Sequence, residues 1–136
     1  MKFTSKSYEF KQWAAEKEDN IPSNIDDLKI DIHDINHVSL KEISIIKDKI
    51  KRFNCCVYKS HKDLLTQADL LNFAKSIGMK TYDNNNIHSS PVSSIMPLEP
   101  EKTVNYIPYT NKQLNWHTDG YYDEKPIFSW LLHCEE

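Results

Sequence analysis

Two side chains one residue apart carry the strongest chemical suggestion in this chain. They are His117 and Asp119, in the run Asn115-Trp116-His117-Thr118-Asp119-Gly120. On an extended strand, residues two apart point to the same face. The imidazole and the carboxylate can therefore reach one metal ion together. A neutral His nitrogen, a carboxylate oxygen and a second His make the two-His-one-carboxylate facial triad, which leaves positions open on Fe(II) for substrate and dioxygen. A bare His-x-Asp arises often by chance, and a His on a half-buried strand is usually a satisfied structural residue. A hydrolytic zinc site is the other metal chemistry for this pair, although no further ligand cluster such as His-Glu-x-x-His accompanies it.

The remaining candidates are weaker. His133 is the nearest downstream imidazole. If Phe128, Trp130 and Leu132 face one way, His133 faces the other with Ser129 and Leu131, which reads as structural. His33 and His37 sit among Asp and Asn residues, the composition of a solvated turn, and His61 and His88 have no partner nearby in sequence. Tyr121 and Tyr122 follow the His-x-Asp run and could offer an aromatic face to a cation, or simply pack. Gln113 and Asn115 could hydrogen-bond a substrate, or shape a loop.

These residues must be held by elements, and the elements are legible in part. Tyr8, Phe10 and Trp13 lie in a polar N-terminal segment that reads as a short helix or an arm. Asn20-Ile21-Pro22-Ser23-Asn24 is a turn signal. Leu28, Ile30 and Ile32 alternate with Lys29 and Asp31, which predicts a strand. Ser39 with Glu42 forms a capping box, and Ile43, Ile46, Ile50 and Phe53 follow at helical spacing, predicting a helix over about 40–53. Cys55-Cys56-Val57-Tyr58 predicts a short strand. Thr66 caps a second helix with Leu70, Phe73, Ala74 and Ile77 on one face, ended by Gly78 in a left-handed conformation. Residues 79–103 are rich in Asn and Pro and read as a long functional loop, a candidate lid. Extended segments are predicted at 104–109, 114–120 and 127–134. Helices with strands in front and strands behind suit an α+β fold, a helix-flanked antiparallel sheet.

At 136 residues the chain accommodates one domain. A net charge of -3 gives no basic surplus, which argues against nucleic acid as partner or substrate. No apolar run is long enough to span a bilayer, and the N-terminus MKFTSKSYEF lacks the apolar core of a signal peptide. Cys55 and Cys56 are adjacent and Cys134 is distant, so no disulfide framework is visible. Each reads as a small buried hydrophobe in a reduced, cytoplasmic protein. With only two glycines, Gly78 and Gly120, turns fall to Asn, Asp and Pro. The chain holds a single arginine, Arg52, inside a predicted helix.

Residues 104–134 resemble the taurine dioxygenase-like (TauD/TfdA) family of Fe(II)/2-oxoglutarate-dependent dioxygenases. The resemblance is carried by Tyr106-Ile107-Pro108-Tyr109, by Asn115-Trp116-His117-Thr118-Asp119-Gly120, and by Pro126 and Leu131-Leu132-His133-Cys134. The His-Thr-Asp with a downstream Leu-Leu-His-Cys looks like the gamma-butyrobetaine hydroxylase branch. Over 1–103 the likeness is only in the order of elements. The resemblance implies a jelly roll (a cupin-like double-stranded β-helix) with N-terminal helices flanking its opening strands. It implies His117 and Asp119 as Fe(II) ligands and 2-oxoglutarate as cosubstrate. The reaction would be hydroxylation of a small organic acid, sulfonate or betaine by dioxygen, with Asn115, Tyr121 and Tyr122 as candidate substrate contacts. The family's distal His and its 2-oxoglutarate-binding Arg are expected beyond Glu136, since Arg52 precedes the motif. The whole chain, 1–136, is accordingly expected to be the N-terminal part of a single such domain, truncated. The alternative is a non-catalytic binding or assembly module that keeps the front half of the fold. No membrane partner is expected, and homo-oligomerisation is left open.

Overall fold

In the computed structural model, whose described residues are 7–80, 91–96, 107, 110, 112, 113, 115, 117 and 127–134, regular structure begins at Ser7. Its hydroxyl accepts from the Phe10 amide at 3.1 Å, satisfying one orphan donor of the first turn. Helix α1 (Tyr8–Asp19) follows, and none of its residues is buried. The polar segment around Trp13 is thus a helix, with Phe10 and Trp13 rings 5.7 Å apart. The chain then turns through Ile25–Asp27, capped by Asn24.

Strand β1 (Lys29–Ile32) alternates exposed and buried residues, so Ile30 and Ile32 face the core as the periodicity predicts. Helix α2 (Leu40–Phe53) starts at Ser39 with its reciprocal capping box. Its buried residues are Glu42 and Ile46, while Ile50 is exposed. The expected Ile43–Ile46–Ile50 stripe is therefore rotated. The reason is Glu42, which is drawn inward because its Oε1 accepts from the His33 amide at 3.0 Å. Asn54 ends the helix at φ 64, its amide donating to Ile50. An Asn takes the left-handed position here, as a chain so poor in Gly requires.

Strand β2 (Val57–Ser60) pairs with β1, Lys29 opposite Val57 and Ile32 opposite Ser60, in parallel. Two expectations are corrected here. The strand begins two residues later than Cys55, because the Val57 amide donates to Leu28 and fixes the register there. The pairing is parallel rather than antiparallel, because α2 carries the chain back along the sheet before β2 begins. Helix α3 (Gln67–Ile77) is capped by Thr66 and closed by Gly78 at φ 108. Its Phe73 and Ala74 join Ile30, Ile32, Ile35, Ile46 and Leu65 in the core. The Tyr58 ring meets Phe73 at 4.8 Å, and burial pushes the Tyr58 hydroxyl up to about 12.

The described elements make a small α+β arrangement of three helices and a two-stranded sheet. By internal contacts the chain divides into two compact units, Met1–Gly78 and Met79–Glu136. All five elements belong to the first. In the second, residues 127–134 and 91–96 carry no regular structure, so the strand expected at 127–134 makes no ladder with any described residue. No helix among the described residues is long and apolar enough to cross a membrane.

Candidate functional site

The lead-in to the His-x-Asp run is a tight turn. The Ile107 carbonyl accepts from the Thr110 amide at 3.0 Å and from its hydroxyl at 2.8 Å. Thr110 Oγ1 in turn accepts from the Lys112 amide at 3.2 Å. The extended segment expected at 104–109 is therefore already turning at Ile107.

His117 is exposed, and so is Asn115. His117 Nδ1 lies 2.7 Å from the Asn115 carbonyl oxygen. A carbonyl oxygen only accepts, so this contact places the proton on Nδ1. The lone pair of the neutral ring is then on Nε2. Metal-binding histidines adopt the same arrangement, one ring nitrogen donating to a backbone carbonyl and the other ligating. The donor chemistry of His117 thus fits a divalent metal. Asp119, Tyr121 and Tyr122 lie outside the described residues.

The remaining candidates are now placed. His133 is half-buried. Arg52 Nε donates to Asn20 Oδ1 at 3.0 Å, and its guanidinium stands 4.9 Å from the Phe53 ring. It braces α1 against the end of α2. Lys17 acts alongside it, Nζ donating to the Lys51 carbonyl at 2.8 Å and to Asn54 Oδ1 at 3.0 Å. A cation over the last carbonyls of a helix meets groups that have no intrahelical partner. The cysteines depart from expectation: Cys55 and Cys134 are exposed and Cys56 is half-buried, all as free thiols. Burial pushes the Cys56 thiol up.

One constellation was not visible in the sequence. His33 and His61 stack with ring centroids 5.8 Å apart and planes 15° from parallel, and His61 Nε2 lies 3.7 Å from Asp31 Oδ1. Each His directly follows a strand, and only the parallel register brings the two strand ends side by side. As placed, these rings do not converge on one ion, because imidazole lone pairs lie in the ring plane and nearly parallel planes do not meet. Consistently, no group of three or more His, Cys, Asp or Glu among the described residues could hold a metal. His37 Nδ1 lies 2.9 Å from Asp34 Oδ2 on the exposed turn, and that contact lowers the Asp34 carboxyl.

Two carboxylates organise this end of the first unit. Asp69 Oδ2 accepts from Lys62 Nζ at 2.7 Å and from the Thr66 amide at 2.8 Å. Its Oδ1 accepts from Asn36 Nδ2 at 2.8 Å. The Lys62 ammonium, then the Thr66 hydroxyl and amide, hold the Asp69 carboxyl well below the usual carboxylate range. Glu42 is lowered too, first by the Ser39 hydroxyl and then by the His33 amide. Both groups act as anchors of helix starts, and their partners are internal. Compared with family models, with curated proteins and with solved structures, the chain finds no match.

Proposed function

We propose that this chain is the front part of a Fe(II)- and 2-oxoglutarate-dependent dioxygenase of the taurine dioxygenase-like kind, acting on a small organic acid, sulfonate or betaine. The observation that carries the reading is the His117-Thr118-Asp119 spacing within its Trp116 and Gly120 setting. The hydrogen bond from His117 Nδ1 to the Asn115 carbonyl supports it, since it selects the tautomer a metal ligand needs. His117 would hold the metal through Nε2 and Asp119 through a carboxylate oxygen.

When bound, Fe(II) with 2-oxoglutarate supplies the activation of dioxygen for hydroxylating an unactivated C–H bond. The chain's own residues position and exclude. The Asn115 carbonyl fixes the His117 ring, and Asp119 adds the anionic donor. By sequence position, Tyr121 and Tyr122 are the proposed contacts for a cationic substrate. The Pro-punctuated stretch 79–103 serves as a lid that keeps out water. In this reading the fold is the opening part of a jelly roll with N-terminal helices flanking its first strands. The second His ligand and the Arg for the far carboxylate of 2-oxoglutarate come from outside this chain, Arg52 being committed to Asn20.

Anaerobic Fe(II) titration with 2-oxoglutarate present tests the assignment. Two ligands should bind iron weakly, and His117→Ala and Asp119→Ala should each weaken that binding by at least about tenfold. Iron binding indifferent to both substitutions overturns the reading.

A further inference from the structure

Helices α2 and α3 each place side chains in the core, whereas no residue of α1 is buried. Tyr8 and Trp13 of α1 are 77% and 47% exposed. Its inward side is Phe10, Ala14 and Lys17, all half-buried. Packing of a buried face supplies most of a helix's stability, and a helix of 12 residues is marginal in water without it. The polar contacts of α1 therefore carry much of its attachment.

Those contacts gather at one end. Lys17, in the last turn of α1, donates through Nζ to the Lys51 carbonyl at 2.8 Å, to the Arg52 carbonyl at 3.3 Å and to Asn54 Oδ1 at 3.0 Å. In return Arg52, in the last turn of α2, donates through Nε to Oδ1 of Asn20, which caps α1, at 3.0 Å. Asn20 Nδ2 donates back to the Glu16 carbonyl at 2.7 Å. Each helix thus lends a cation to the other's C-terminus. A helix C-terminus carries a partial negative charge, and two brought together oppose each other unless cations stand between them. Glu16, Asp48 and Lys51 line the same groove, so its carboxylates add to the negative charge that the cations offset.

We infer that α1 is a detachable strap, fastened by the Lys17 and Arg52 clasp across the two helix ends, and that it undocks while β1, α2, β2 and α3 stay folded. Undocking takes no side chain out of the core, since the cluster around Ile30, Ile32, Ile46 and Phe73 contains no residue of α1. It bares the Lys51 and Arg52 carbonyls, which have no intrahelical partner and take water instead. Once off α2, α1 is too short to hold its helix alone. The clasp is a switch on charge, because neutralising either cation leaves two helix ends of like sign together. The strap owes nothing to the oxygenase reading.

Hydrogen exchange of the full chain, read amide by amide by NMR, tests it. Amides of α1 should be at least about a hundredfold less protected than those of β1 and α3. Lys17→Gln and Arg52→Gln leave helix propensity nearly unchanged. Each should cost α1 about tenfold in protection while β1 and α3 keep theirs. Protection of α1 equal to that of β1 overturns the proposal. So does a loss spread equally over α1, β1 and α3, or an α1 indifferent to either substitution.

Discussion

The unit Met1–Gly78 and the His117 segment are built on opposite principles. In the first, the starts of α2 and α3 are each fixed twice, once by local capping and once by a partner outside the helix. Glu42 closes the Ser39 box and also takes the His33 amide. Asp69 closes the Thr66 box and also takes Lys62 and Asn36. Among the described residues no buried side-chain polar atom lacks a partner. Around His117 the described contacts are all local: a turn from Ile107 to Lys112, and a carbonyl two residues back. The scaffold is over-determined, whereas the reading of the candidate site rests on spacing and on the hydrogen bond from His117 to the Asn115 carbonyl. Lesions in the first region should therefore cost stability, and lesions in the second should cost chemistry with little effect on stability.

The largest break should come from Phe73, which is 1% exposed and packs on Tyr58. Phe73→Ala is expected to lose about 3–5 kcal/mol in urea unfolding, and a loss under about 1 kcal/mol would show that this contact is not central. Acid comes next. Asp69 and Glu42 both have folded carboxyls below their ordinary values. Their contribution is complete above the unfolded-state range, about pH 4, and is lost as pH falls through the lower folded values. Denaturation midpoints should hold from neutral pH to about 5 and drop below 4. Asp69→Asn should flatten part of that drop, and an unchanged acid slope in the variant would assign it elsewhere.

Gly78 is a smaller test. Its φ of 108 suits a residue without Cβ, and an added Cβ would meet nothing within 4 Å. Gly78→Ala should therefore cost only the backbone strain, about 1–2 kcal/mol, and a larger loss would reveal a packing role. Ser39→Ala should cost about 1 kcal/mol by removing the α2 cap, read as a lowered unfolding midpoint. The smallest effect sharpens the contrast most. His117→Ala should shift stability by less than about 0.5 kcal/mol while weakening iron binding by at least about tenfold, and a clear loss of stability would make His117 a structural residue.

Capping was legible because it is local. Ser39, Thr66 and Gly78 announced the ends of α2 and α3 within a few residues. The α3 face of Phe73 and Ala74 followed from spacing for the same reason. The α2 face was misjudged at Ile50, since nothing in the local pattern says that Glu42 will be recruited by the end of β1. The contact of Arg52 with Asn20 was not legible, since the two lie 32 residues apart in the chain. The exposed thiols of Cys55 and Cys134 depart from their hydrophobic character because burial is decided by neighbours, which composition does not supply.

By itself the sequence determined where helices begin and stop, which strand residues face inward, and that an imidazole and a carboxylate stand one residue apart. Those properties depend on neighbours within one or two turns of chain. Only the tertiary structure decided that β1 and β2 run parallel, that His33 stacks on His61, and that Asp69 gathers Lys62 and Asn36. Each joins residues far apart in sequence, and such pairings are fixed by the register and packing of whole elements rather than by the preferences of any one segment.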